Sequence, residues 1–199
     1  MNSKKKTANR VGLFGGSFDP VHTAHLIIAN SVLQEFQLEK VIFIPNFISP
    51  FKVGSGTSDI VHRIEMINLS IKDNPNFELS EFEAEKKRAV YTYETIEYYM
   101  SIMPDKEFYL ILGNDSFVNI TQWKNSEYIL KNSRIIVVGR PLEVSGKIKE
   151  LPEHIVSVST PLMDISSTVI RKMTTDNLDI KYLVNDEVSL YIREKKLYK

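Results

Sequence analysis

Short unbroken runs of apolar and β-branched residues, Val11–Phe14, Val41–Ile44, Phe108–Leu112, Arg134–Val138 and Ile155–Val158, alternate along this chain with stretches of helical spacing. Strands without polar alternation are buried on both faces, and the crossover helices that join parallel strands must cover both sides. The pattern therefore predicts an α/β domain built on a doubly wound parallel sheet with helices on both faces. Helices are expected from about Thr23 to Phe36, along the face that repeats Ile60, Ile64, Ile67 and Ile71, and from Thr92 with Ile96, Tyr99, Met100 and Met103 on one side. Shorter ones are expected near Ser126 to Leu130, Ser167 to Met173 and Asp186 to Lys195. Ser58 or Asp59 can cap the second helix and Thr92 the third. Phe77 to Phe82 reads as a further strand, and Pro45 to Ser58, rich in Pro, Gly and Ser, as a mobile loop.

No fixed-period repeat interrupts the alternation, so a single domain is expected over 10–199 with 1–9 as a flexible tail. A chain of 199 residues buries roughly 70% of its unfolded surface, enough for a core without staples. Cysteine is absent, which excludes disulfides, thiolate zinc sites and cysteine nucleophiles and fits a reducing, cytoplasmic setting. Lys+Arg and Asp+Glu both number 25, so no broad basic field points to nucleic acid or an anionic membrane. No apolar run is long enough to span a bilayer. An anionic ligand must be met by a local site.

In doubly wound sheets ligands bind beyond the carboxyl ends of the strands, which groups Gly15 to His25, Pro45 to Lys52, Gly113 to Asp115 and the turn before Ser167. The first is Gly15-Gly16-Ser17-Phe18-Asp19-Pro20-Val21-His22-Thr23-Ala24-His25, between a strand and a helix. Glycines let backbone approach a ligand, and the helix start offers free N–H groups and a positive dipole end to phosphate. His22 and His25, three apart, share a face of the first turn. Neither Gly-x-x-x-x-Gly-Lys-Ser/Thr nor Gly-x-Gly-x-x-Gly occurs, which weakens kinase and dehydrogenase readings. The second constellation is Ile165-Ser166-Ser167-Thr168-Val169-Ile170-Arg171, three hydroxyls at a helix start with an arginine one turn on. Its hydroxyls can simply cap the helix, but the Arg171 fork suits a polyphosphate.

Together these segments resemble the nucleotidyltransferase superfamily that carries His-x-Gly-His after a Gly-rich strand end and Ile-Ser-Ser-Thr-x-x-Arg near the C-terminus. From about Arg10 to Tyr198 the chain is similar to bacterial nicotinate mononucleotide adenylyltransferases. The similarity runs through Phe43-Ile-Pro45, Pro50, Lys52, His62-Arg63, Met66, Tyr91-Thr92, Gly113-Asn114-Asp115-Ser116, Trp123, Tyr191-Ile192 and Leu197-Tyr198. Two positions depart from the pattern: Ala24 stands where Gly is usual, and Lys124 where an aromatic is common.

The resemblance implies a Rossmann-like enzyme that moves AMP from ATP onto nicotinate mononucleotide, with Mg²⁺ accompanying ATP and no dedicated protein metal cluster. It implies His22, His25, Lys52 and Arg171 as the catalytic set. ATP is expected on Gly15, Gly16, Ser17, Phe18, Gly113, Ile165, Ser166, Ser167 and Thr168, and the acceptor on Lys52, Tyr91, Thr92, Asp115 and Trp123. Asp115 can alternatively cap a helix. Arg63 and His62 read by default as a solvated helix face, and His154 as structural. Competing readings are a pantetheine phosphate adenylyltransferase and an ATP-binding sensor without turnover. A homo-oligomer is compatible with the sequence.

Overall fold

The computed structural model describes residues 9–48, 57–139, 154–159 and 163–199. Lys4, Lys5 and Lys6, Lys52 and most of the Pro45 to Ser58 segment lie outside the described residues. In chain order the elements are β1 (Arg10–Gly16), α1 (Thr23–Glu35), β2 (Lys40–Pro45), α2 (Ile60–Ile71), β3 (Phe77–Leu79), α3 (Phe82–Lys86), α4 (Thr92–Ile102) and β4 (Glu107–Gly113). There follow α5 (Asn114–Phe117), a 3-10 turn at Ile120–Gln122, α6 (Ser126–Asn132), β5 (Arg134–Gly139), β6 (Ile155–Ser159), α7 (Ser167–Thr175) and α8 (Asp186–Glu194).

All six strands are parallel, in the order β3-β2-β1-β4-β5-β6. The chain works outward from β1 to one edge and then returns to build the other, so the strand order reverses between β1 and β4. That topological switch point is where a doubly wound sheet opens a ligand crevice. Successive strand side chains point to opposite faces, and the core divides accordingly. Phe14, Phe43, Tyr109, Ile111, Ile136 and Val138 meet Ala29, Val32 and Leu33 of α1, Met66, Ile67 and Ile71 of α2, and Val188 and Ile192 of α8. Val11, Leu13, Ile42, Ile44, Leu110, Leu112 and Val137 meet Ile96 and Tyr99 of α4, Phe117 of α5 and Ile129 of α6. Burying each such side chain contributes about 1.5–3 kcal/mol, which explains why the strands lack polar alternation.

Three local expectations change. β3 stops at Leu79, and Phe82–Lys86 is helical rather than strand: Glu83, Ala84, Glu85 and Lys86 are good helix formers, and Ser80 Oγ accepts the Phe82 amide at 3.3 Å just ahead of them. Thr92 is the first helical residue of α4, not its cap; Tyr91 holds the cap position, and Glu94 reaches back to accept the Tyr91 amide at 3.0 Å. The inward side of α2 carries Arg63, Met66, Ile67 and Ile71, with Ile60 and Ile64 only half-buried. Of the two caps open to α2, Asp59 serves, accepting the Val61 amide at 3.0 Å. Near the N-terminus the Asn9 carbonyl accepts the Glu107 amide at 2.7 Å, so Asn9, expected in the tail, is tied to the sheet.

Candidate active site

β1 delivers Gly15 and Gly16 to the switch point, and β4 delivers Gly113 beside them, since Phe14 pairs with Ile111 and the strands run on together. A methyl group built on Gly15 or Gly113 would touch nothing within 4 Å. Neither glycine is required by packing; both leave the mouth of the crevice open. Gly16 differs, because a side chain there would press on the Phe18 ring at 3.0 Å. Phe18 is itself 2% exposed, edge-on to Phe14 with centroids 5.5 Å apart, so of the residues assigned to ATP it can offer only backbone. Ser17 is partly exposed on the rim.

Beyond the turn, His22 caps α1 and its amide donates to His25 Nδ1 at 3.2 Å. Nδ1 must be unprotonated to accept, which places the His25 proton on Nε2 and makes that nitrogen a donor. The two rings stack with centroids 3.6 Å apart. Burial lowers the His22 pKa to about 4, and burial followed by the neighbouring His22 holds His25 well below the ordinary imidazole range. Both are neutral at pH 7. Buried His22 Nδ1 has no hydrogen-bond partner among the described residues. Ala24 is buried in the helix between them.

The Ser166–Arg171 segment folds against this loop. Ser166 caps α7, accepting the Val169 amide at 3.3 Å, while Ser167 Oγ donates to the Pro20 carbonyl at 2.9 Å. Arg171 donates from Nη1 to the Asp19 carbonyl at 2.8 Å and from Nη2 to Thr168 Oγ1 at 3.4 Å. Ile165 is half-buried against the core. The two constellations, about 150 residues apart in sequence, thus form one cradle that brings together two helix N-termini, a guanidinium and two imidazoles.

A third group lies at the start of α4. Lys124 Nζ sits 4.4 Å from the centroid of Tyr91, a cation–π contact that joins the segment after Trp123 to Tyr91–Thr92. Arg88 pairs with Glu94 at 2.5 Å on the same rim. Lys124 forms no ion pair of its own among the described residues, but its charge adds to that of Arg88 in holding the Glu94 carboxyl below its ordinary range. Trp123, at the end of the 3-10 turn, packs part of its ring on the core. Asp115 is exposed in the first turn of α5 with Gly113 in the cap position, so its carboxylate does not cap that helix.

Arg63 overturns its expectation. It is 1% exposed and donates from Nε to the Ser58 carbonyl at 3.0 Å, from Nη1 to Ser17 at 2.9 Å and Asn46 at 2.7 Å, and from Nη2 to Phe47 at 3.2 Å. One guanidinium therefore staples the ends of β1 and β2 to the start of α2. Periodicity misread it because an arginine among isoleucines scores as the polar face; only the loops it satisfies reveal its role. Asp19, also unassigned, is 2% exposed and accepts the Ser58 amide at 3.1 Å and the Tyr198 hydroxyl at 2.7 Å. His62 bonds Tyr191 at 2.8 Å, and the His154 carbonyl accepts the Ile135 amide at 2.8 Å; both are structural contacts.

The cytidylyltransferase-like family profile matches residues 13–173. A probable nicotinate-nucleotide adenylyltransferase of Caldicellulosiruptor bescii is 40% identical over 197 residues, covering 96% of this chain and 99% of that protein. One from Bacillus licheniformis is 35% identical over 189 residues, covering 95% and 98%. Among solved structures, Plasmodium falciparum nicotinic acid mononucleotide adenylyltransferase complexed with NaAD superposes with a TM-score of 0.76 at 22% identity, covering 95% of this chain and 97% of that one.

Proposed function

Since the chain belongs to the cytidylyltransferase-like family, and within it to the nicotinate-nucleotide adenylyltransferases, we propose that it transfers AMP from ATP to nicotinate mononucleotide, giving nicotinate adenine dinucleotide and pyrophosphate. The observation that carries the reading for these residues is the joining of the Gly15–His25 and Ser166–Arg171 segments into one phosphate cradle at the β1–β4 switch point. An oxygen of the acceptor phosphate attacks the α-phosphorus of ATP in line. The new P–O bond forms as the bond from that phosphorus to the bridging oxygen breaks, and the bridging oxygen leaves with pyrophosphate. No protein nucleophile is needed; positioning and charge stabilisation supply the rate.

In this scheme His25 Nε2–H and His22 donate to the ATP phosphates, and Arg171 with the Ser166–Thr168 turn holds the leaving pyrophosphate. Lys52, outside the described residues, adds a point charge from its loop. Mg²⁺ accompanying ATP would neutralise charge on the triphosphate, with phosphate and water rather than a protein cage expected to carry it. Asp19, the carboxylate inside the Gly15–His25 loop, is already engaged with Ser58 and Tyr198 and fits a structural role better than a metal ligand. The setting inferred is the cytoplasm.

For the acceptor, the pyridine ring rests on Trp123 and its carboxylate faces Tyr91, Thr92 and the Lys124 ammonium, with Asp115 available to the ribose. Helix N–H groups favour an anion by about 0.3–2 kcal/mol, and a charge-assisted hydrogen bond adds roughly 1.5–3 kcal/mol. At about 1.4 kcal/mol per tenfold, nicotinate should be preferred over the neutral amide by at least tenfold. Lys124, a departure from the usual aromatic, strengthens this preference rather than weakening it.

The test is pyrophosphate release from ATP and Mg²⁺ with nicotinate mononucleotide, nicotinamide mononucleotide or phosphopantetheine, with His22→Ala as control. Fastest release with nicotinate mononucleotide, lost in the control, is the expected result. Equal turnover of both mononucleotides would sink the carboxylate assignment, and ATP binding without release from any acceptor would leave the sensor.

A further inference from the structure

The residues that close the chain reach back to both halves of the phosphate cradle. Tyr198 donates its hydroxyl to Asp19 Oδ1 at 2.7 Å, inside the β1–α1 loop, and its carbonyl accepts from Thr175 Oγ1 at 2.7 Å, at the end of α7. The first contact spans 179 residues of sequence. Asp19 distributes the restraint: its second carboxylate oxygen accepts the Ser58 amide at the entrance to α2, and its carbonyl takes Arg171 Nη1 at 2.8 Å. The ring of Tyr198 packs on the core of the α1/α2/α8 face. Its backbone lies at φ +62, the left-handed region, which a bulky residue occupies only where surrounding contacts impose it.

We propose that Tyr198 is a positioning residue for catalysis, a strut that fixes the distance between the Gly15–His25 loop and the Ser166–Arg171 turn by holding Asp19 and Thr175 at once. The proposal rests on the assignment of that cradle to ATP phosphates. Removing the hydroxyl leaves the fold and the ring packing in place but frees Asp19, and with it the Arg171 contact, to move. A shift of the phosphate donors by a few tenths of an ångström weakens interactions that strengthen toward the transition state more than it weakens ground-state binding.

Tyr198→Phe in the full chain is the variant to measure, with Thr175→Val removing the other contact. The expected result is a fall of about tenfold in kcat for pyrophosphate release, a change in the KM for ATP of less than about threefold, an unchanged KM for the acceptor and a thermal midpoint lower by roughly 2–12 °C, because buried Asp19 loses one donor. Equilibrium binding of a non-hydrolysable ATP analogue is read alongside. A parent protein that binds no analogue overturns the cradle assignment itself. Binding by the parent together with parental kcat in Tyr198→Phe overturns the strut alone, and a lowered midpoint with parental kcat below it assigns Tyr198 to folding only.

Discussion

Arg63→Met offers a demanding test of how the site is held together. The substitution preserves much of the apolar stem and removes the guanidinium that serves the carbonyls of Ser17, Asn46, Phe47 and Ser58. At 1% exposure no bulk water replaces it in place. Each buried acceptor left unmet costs about 1–3 kcal/mol, so four set an upper limit of roughly 4–12 kcal/mol. Two effects reduce that limit. The loops can relax toward solvent, and the desolvation cost of the guanidinium, the main reason its pKa is lowered, disappears with it. The net expectation is about 3–5 kcal/mol, close to the low end of the range for each of the four carbonyls. For a chain of 199 residues that corresponds to a thermal midpoint lower by roughly 6–20 °C. Arg63→Lys keeps the charge but has three donors without a planar fork, leaving at least one carbonyl unmet at a cost of about 1–3 kcal/mol. Urea unfolding measures both, with a shifted midpoint and unchanged slope expected. Stability within about 1 kcal/mol of the parent for the methionine variant would refute the staple.

Two further outcomes depend on pH. Glu83, 8% exposed, has its pKa raised from the usual 4.5 to about 7, first by burial. The folded state therefore binds more protons than the unfolded state across that interval, and stability falls as pH rises from about 4.5 to 7, by on the order of 3 kcal/mol. His22, lowered from 6.5 to about 4, acts with opposite sign: its contribution rises with pH from about 4 to 6.5. The difference between the parent and Glu83→Gln in urea unfolding at pH 5 and pH 7.5 isolates the first effect, and a variant with the parent's pH dependence would show that Glu83 ionises freely. The second is read directly by NMR of the ligand-free protein: at pH 5.5 His22 and His25 should remain neutral, whereas an imidazole with a pKa of 6.5 would be about nine-tenths protonated. Titration of either ring near 6.5 would mean the pair is open to water.

Much of the fold was legible because the strands are buried on both faces, so runs such as Phe108–Leu112 carry no polar interruptions to mislead. The cradle was legible because its residue types are uncommon together and the strand-end rule placed them at the carboxyl ends of the strands. What escaped was decided by tertiary partners. Arg63 looks like a polar face until the carbonyls of two strand ends surround it, and Phe82 looks like strand because a five-residue helix is too short to display a period. Lys124 stood out only as a departure from the usual aromatic, because its cation–π contact with Tyr91 joins segments more than 30 residues apart.

The bond between Tyr198 and Asp19 also bears on the order in which the molecule becomes competent. A growing polypeptide can assemble every strand of the sheet before residue 198 has been made, yet the loop at the end of β1 then lacks the hydroxyl that holds it. ATP in the cell stabilises whatever conformation binds it, by an amount set by its concentration relative to the dissociation constant. Because loss of the hydroxyl is expected to change ATP binding by less than about threefold, a chain that has not yet reached residue 198 receives nearly the same help, and turnover rather than binding waits for the bond. Any sequence fused after residue 199 would emerge one residue beyond this bond, beside the nucleotide loop.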